Sequence, residues 1–433
     1  MMGLMPTVSR PSYLYPTPGR VALVLAGGAA RGAYEIGVVQ YIAEELPRDL
    51  GRDPPIDIFC GTSVGAINGC ALAALADAPR SRARQLVQQW TSLRMNDVML
   101  LRPGYIARFV GSLLGRQTTV EETAGPRYGG LIDPVGMEDV IRAGISFPRI
   151  TEHLRSGLLH GVTVSATHIS TGTTVVFVGG EHGWAKPWSN DRKVVAQRVE
   201  LQLEHALASA AIPLMFPAVN IGGDFYCDGG LRQNVPLSPA RHLGADGILV
   251  INPRYMYERP LAPTEASDAA LPGPWFLVGK ALNALLLDRV ENDIERLQRI
   301  NRILLAGQRR FGDSFVEQLN QELGYRQPQQ GLRPLAALLI DSSENIGHLA
   351  AEYVRSPAFA ARNQGLLANA LRRLGEHEFA DESDLLSYVL FDGEFAAQLI
   401  DLGRRDARAR HQELLRFFRE LSPDPTPPEA AAR

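Results

Sequence analysis

Cysteine is scarce in this chain. Its 433 residues hold three, Cys60, Cys70 and Cys227, at unrelated spacings. An odd, scattered set forms neither a disulfide framework nor a cysteine zinc site, and it points to a reducing, cytoplasmic compartment. Long apolar runs are missing too: none approaches the about 18 residues of a membrane span. Residues 1–20 are broken by prolines and lack the apolar core of a signal peptide, so they read as an N-terminal extension. Charge of one sign is also lacking. With 44 Lys and Arg against 47 Asp and Glu, the net charge is -3, and no basic run suggests nucleic acid or a polybasic membrane anchor. What remains is a globular composition, 45% hydrophobic and 21% charged, enough for one large domain or two ordinary ones. No internal repeat is evident.

Chemistry concentrates in Cys60-Gly61-Thr62-Ser63-Val64-Gly65-Ala66-Ile67-Asn68. An apolar run from Ile56 leads into Gly-x-Ser-x-Gly, and a small-residue helical run follows from Ala66 to Ala76. Strand, sharp turn and helix in that order mark a nucleophile elbow, with Ser63 presented at the turn. Gly61 and Gly65 fit there because they lack a Cβ and tolerate strained backbone angles. The Val64 amide, at a helix N-terminus, would face a developing oxyanion. The motif alone is weak, since it arises by chance in roughly one chain in five of this length. Its setting between strand and helix is what strengthens it.

Upstream, Val21 to Ala26 reads as a strand buried on both faces. It runs into Gly27-Gly28-Ala29-Ala30-Arg31-Gly32 and then a helical stretch from Ala33 to Leu46. Backbone amides of such a loop can hold an anion. A dinucleotide is disfavoured, because the Gly-x-Gly-x-x-Gly spacing is broken at Ala29 and no acid-terminated strand follows. The alternative is that the loop supplies oxyanion donors to Ser63, with Arg31 adding positive charge or bracing the loop. Downstream, Val219 to Phe225 folds back at Gly222-Gly223 as a hairpin and ends in Asp228-Gly229-Gly230.

These three motifs in this order resemble the patatin-like phospholipases: a Gly-rich loop ending in Arg31-Gly32, the elbow Gly61 to Gly65, and Asp228 to Gly230. Ala208 to Pro213 and Phe216-Pro217 are similar as well. The likeness spans about Val21 to Val250. One departure is Ala29, where the family usually carries a third glycine; alanine keeps the amide, but a positive φ would strain it. The resemblance implies a Ser63–Asp228 dyad without histidine. Gly27, Gly28, Ala29, Arg31, Gly32 and Val64 would form the oxyanion hole, and Gly61, Gly65, Gly229 and Gly230 would support the motifs. It also implies lipid acyl hydrolysis in lipid catabolism, acting on a phospholipid or other acyl glycerolipid with no metal or cofactor, and peripheral contact with a membrane. The expected fold is α/β: a central, mainly parallel sheet flanked by helices in residues 21–255, a mostly helical C-terminal extension over 256–422, and a disordered tail over 423–433.

Two other functional readings stay open. A triad esterase for small soluble esters would need His205, in a helical stretch from Val194 to Ala211, or His242 or His348. A lipid-binding or regulatory protein would keep the site without turnover. A metal site at His153, His160, His168 and His182 matches no ligand spacing on one element. Met95 to Gly130 reads as a cap or a loose connection, and Trp184 and Trp188 around Lys186 as packing or interface residues. Val162 to Thr167 and Thr173 to Val178 form a strand pair, and Gly247 to Ile251 and Leu335 to Ile340 are strands. Pro260 to Pro274 reads as a linker, and Trp275 to Arg310 and Leu385 to Phe418 as largely helical.

Overall fold

A computed structural model describes residues 19–101, 104, 127–128, 130–180, 193–232, 236–255, 290–325, 331–375 and 385–421. The tryptophans 184 and 188, His182, the linker from Pro260, the tail after 422 and most of the Met95 to Gly130 segment lie outside the described residues.

Among the described residues ten strands form one sheet: β1 Val21–Leu25, β2 Ile58–Thr62, β3 Arg127–Tyr128, β4 Gly161–His168, β5 Thr174–Gly179, β6 Val194–Arg198, β7 Ala218–Ile221, β8 Asp224–Asp228, β9 Gly247–Tyr255 and β10 Ala336–Ser342. Its centre runs β10-β9-β1-β2-β4, all parallel. The apolar run of β1 is buried along its whole length because both faces are covered. Val21, Leu23 and Leu25 point into the larger core with Phe59, Leu249 and Ile251. Ala22, Val24 and Ala26 point to the opposite side with Ile58, Cys60 and Val250. Alternation on a strand sends successive side chains to opposite faces, so a run apolar at every position is what a two-faced sheet requires.

The antiparallel part gathers around β4. One edge of β4 pairs with β5 from Val162 to Thr167. Along its other edge β2 pairs up to Thr62↔Ser165, and β8 takes over at Asp228↔Ala166. The ends of a parallel and an antiparallel strand therefore meet on adjacent residues of one template strand.

Two expectations are corrected. Val194 to Ala211 is not one helical stretch: Val194–Arg198 is a strand in parallel register with β5, and the helix covers only Leu203–Ser209. The β-branched pair Val194 and Val195 favours the extended form, and the free edge of β5 supplies its partner. The sheet also does not stop at residue 255, because β10 adds to β9 in parallel. Among the described residues the remaining C-terminal elements are helical; those after β10 close over the larger core, while the helix Val290–Phe311 packs through Leu297 on the smaller one. Gly32–Glu44, the helix after the Gly-rich loop, crosses Gly393–Ala409 at backbone contact distance. A Cβ on Gly37 would run into the Ile400 carbonyl, and one on Gly403 into the Tyr34 carbonyl. The Tyr34 hydroxyl donates to Asp341 O at 2.7 Å and lies 2.9 Å from Asp406 Oδ2, joining the two helices to β10.

A Cβ at that crossing has only backbone to displace. Gly403→Ala is expected to lower unfolding free energy by about 1–3 kcal/mol, the usual cost of overpacking, read by urea titration. An unchanged midpoint would contradict the crossing.

Candidate active site

Ser63 closes β2 and opens the helix Val64–Ala74. Its backbone is strained, with φ 55° and ψ -129°, a combination that costs a non-glycine residue about 1–3 kcal/mol and is held only by its surroundings. The flanking glycines hold it by allowing close approach rather than by adopting positive φ. A Cβ on Gly61 would strike the Gly65 carbonyl, and a Cβ on Gly65 would strike that of Leu25. The Ser63 amide donates to Ser209 Oγ at 2.9 Å, and Ser209 Oγ donates to the Ser165 carbonyl at 2.6 Å. Through Ser209 the turn is fastened to β4.

Across the strand junction, Ser63 Oγ donates to Asp228 Oδ2 at 2.6 Å. The other carboxylate oxygen accepts from the Gly230 amide at 2.7 Å, and the Asp228 carbonyl accepts from Thr167 Oγ1 at 3.0 Å. Asp228 is fully buried. Burial pushes its pKa up to about 7, with the hydrogen bonds from Ser63 and Gly230 pulling the other way. A carboxyl held there is half ionised near neutral pH, which a surface aspartate is not. Gly229 is required sterically, since a Cβ there would meet the Ser165 carbonyl.

A cavity opens beside Ser63. Ala29 and Val64 share its wall with the serine, while Gly27, Gly28, Arg31 and Gly32 do not line it. Ile67 and Ala71 line it from the elbow helix, Leu86 and Trp90 from the helix Pro79–Ser92, Ile141 from the helix Val135–Gly144, and Ile212 from the turn after Leu203–Ser209. Its polar members are few. Asn68 has its amide engaged: Nδ2 donates to Gly32 O at 3.0 Å and Glu35 Oε2 at 2.8 Å, and Oδ1 accepts from Trp90 Nε1 at 3.1 Å. Glu35 is fully buried, and burial holds its carboxyl well above the usual range, against the pull of the Asn68 hydrogen bond. The wall left beside Ser63 is therefore largely apolar, suited to a hydrocarbon chain.

Within the Gly-rich loop, Ala29 has φ 49°. It occupies the left-handed region that glycine enters freely and alanine enters at a cost of about 1–2 kcal/mol. Arg31 is buried, but its side chain turns to the C-terminal segment: Nε donates to Ser387 Oγ at 2.8 Å and the guanidinium lies 4.4 Å from the Tyr388 ring centroid. Of the two roles expected for Arg31, bracing the loop is the one its contacts match.

The histidines have other occupations. His205 Nδ1 accepts from the Gln202 amide at 3.0 Å and its ring packs edge-on to Phe177; burial lowers its pKa. His242 has its pKa pushed down to about 4 by burial and then by the charges of Arg241 and Arg333. His348 lies 3.2 Å from Glu352 on one helix face. None lines the cavity, and the direct Ser63–Asp228 bond leaves no place between them for a ring. His153 pairs with Ala73 O and His168 with Thr171 Oγ1. Among the described residues no cluster of His, Cys, Asp or Glu could hold a metal ion. Ser209, Asn68, Trp90 and Phe391 carry no mark of the site in the sequence, because each joins it through contacts distant in the chain.

Sheet and elbow together define an α/β protein built around a strand–serine–helix turn. The sequence model of the patatin-like phospholipases matches residues 23–241, and the chain belongs to that family. Relatives include the uncharacterized protein YjjU of Escherichia coli K12, 28% identical over 56% of this chain and 55% of that protein. Another is a cGAMP-activated phospholipase of Pseudomonas aeruginosa, 27% identical over 49% of this chain and 53% of that protein. A third is lysophospholipase NTE1 of Cryptococcus neoformans, 22% identical over 54% of this chain and 11% of that protein. The chain thus spans about half the length of the two bacterial relatives and about a tenth of the fungal one. Among solved structures, human GIVD cytosolic phospholipase A2 with a bound methyl gamma-linolenyl fluorophosphonate aligns over 93% of this chain and 59% of that one, at TM-score 0.41 and 12% identity.

The strain at Ala29 can be measured. Ala29→Gly is expected to raise unfolding free energy by about 0.5–1 kcal/mol, because relief of the positive φ exceeds the entropy glycine gains when unfolded. A fall in chemical stability would contradict the strained loop.

Proposed function

We propose that the chain is a lipid acyl hydrolase that cleaves carboxylic esters of a phospholipid or other acyl glycerolipid through a Ser63–Asp228 dyad. The observation that carries this reading is the 2.6 Å bond from the Ser63 hydroxyl to a buried carboxylate whose pKa is pushed up to about 7. Ionised Asp228 takes the Ser63 proton as Oγ attacks the ester carbon. The oxyanion is held by the amides of Ala29 and Val64, which line the cavity beside Ser63, with Gly27, Gly28, Arg31 and Gly32 shaping the loop that presents Ala29. As the intermediate collapses, the carbon–alkoxide bond breaks and Asp228 returns the proton to the departing alcohol. Water then attacks the acyl-serine with Asp228 again as base, releasing the fatty acid and restoring Ser63. The apolar wall of Ile67, Ala71, Leu86 and Ile212 supports an acyl chain as the group bound. Such a substrate lies in a lipid surface, so peripheral contact is part of the reading. Leu214, 65% exposed with φ 70°, stands between the cavity residues Ile212 and Phe216 and is suited to that contact.

Burial of Asp228 fixes the sign of two pH effects. Its folded pKa lies above the ordinary 3.8, so between those values the folded protein keeps a proton that the unfolded chain has lost. Stability from this group therefore falls as pH rises through that window. Activity does the reverse, because only the ionised carboxylate can accept the serine proton.

On nitrophenyl esters and mixed phospholipid vesicles, kcat/KM is expected to rise with pH about an apparent pKa near 7. Ser63→Ala and Asp228→Asn should each lose at least about a thousandfold, a loss typical of removing one member of a catalytic unit. Asp228→Asn turning over at close to the parent rate, with the fold intact, would sink the dyad and leave a mechanism with another base, whereas a parent inactive on every ester would leave a lipid-binding protein.

A further inference from the structure

The family match ends at residue 241, yet the cavity beside Ser63 is not walled by that part of the chain alone. Phe391 is among its lining residues. The Phe391 ring stacks on Trp90, with centroids 6.5 Å apart and planes 16° from parallel, and Trp90 is fixed in turn by Asn68. The backbone beside Phe391 has little freedom. Asp392 accepts from the Tyr353 hydroxyl at 2.5 Å, from Arg362 Nε at 3.0 Å and from the Glu394 amide at 3.0 Å. The Gly393 amide donates to Leu93 O at 2.8 Å, and Leu93 also lines the cavity. A Cβ on Gly393 would run into the Thr91 carbonyl, so this turn is seated directly against the end of the helix Pro79–Ser92. A few residues earlier, Ser387 and Tyr388 hold Arg31 of the Gly-rich loop. One short stretch thus touches both the loop and the cavity wall.

We propose that residues 385–393 complete the site, with Phe391 setting the size of acyl chain that the cavity accepts. The identity of the occupant as an acyl chain rests on the hydrolase reading above. Stacked aromatic rings make a flat, stiff wall, so the space beside them is set by the ring itself rather than by a side chain that can fold aside. Removing the ring enlarges the apolar space, and each additional methylene buried there changes affinity by about fourfold.

The test compares the full chain with Phe391→Ala and Phe391→Trp on nitrophenyl esters from butyrate to palmitate. The palmitate-to-butyrate ratio of kcat/KM is expected to rise at least about fivefold in Phe391→Ala and to fall in Phe391→Trp. Phe391→Leu keeps an apolar side chain should loss of the ring unfold the segment, and its ratio should lie between parent and alanine. The same substitutions in a Ser63→Ala background are titrated with saturated fatty acids of matching lengths by calorimetry, where the length preference should shift in the same direction. Parent turnover with chain-length profiles that coincide in every folded variant overturns the role of Phe391 and leaves the hydrolase reading intact. A parent inactive on every ester, with binding profiles that still shift, overturns hydrolysis and supports the role of Phe391. Unshifted binding profiles in that inactive case overturn both.

Discussion

One edge of one strand carries the arrangement. Along β4, Ser165 is the last partner of β2 and Ala166 the first partner of β8. Thr62 and Asp228 are thereby set on neighbouring rungs, and the residue after Thr62 reaches the Asp228 carboxylate at 2.6 Å. Two strands that approach from opposite directions share a template, so the separation of serine and aspartate is fixed by backbone pairing rather than by flexible side chains. Positioning of this kind is what catalysis by a two-residue unit demands. The close contacts of Gly61, Gly65 and Gly229 follow from it, since strand ends this near leave no room for Cβ atoms.

Two costs accompany that geometry. Ser63 sits at φ 55° and Ala29 at φ 49°, and Asp228 is buried with no cationic hydrogen-bond partner among the described residues. Each is unfavourable alone, and each is held by packing. Ser209 fastens the Ser63 amide to β4, and the segment at Ser387 and Tyr388 grips Arg31 two residues after Ala29. The crossing at Gly37 and Gly403 locks the first helix to the C-terminal part of the chain. Stability spent on a strained site is recovered in the two cores of the sheet.

The parallel strands were legible in the sequence because burial on both faces leaves an uninterrupted apolar run, as in β1 and β9. Ser63 and Asp228 were legible because their turns need glycine at fixed offsets. The strand β6 was not, because Val194 to Arg198 alternates only weakly and owes its extended form to the edge of β5. The positive φ of Ala29 was also hidden, since alanine carries no mark of the backbone it adopts. Phe391 and Ser209 were hidden for a further reason: they lie 328 and 146 residues from Ser63 in the chain, and only packing brings them to it. Arg31 read equally well as a charge for the oxyanion or as a brace, and its contacts with Ser387 and Tyr388 are those of a brace.

Activation of Ser63 as a nucleophile by Asp228 can be read chemically. The most direct test is covalent trapping with an alkyl fluorophosphonate, followed by peptide mass spectrometry at several pH values. The account predicts a single phosphonyl adduct on the peptide carrying Ser63, formed faster as pH rises through about 7, where the Asp228 carboxyl ionises. An adduct on another residue, or labelling of Ser63 at a rate that does not change across that pH range, would contradict it.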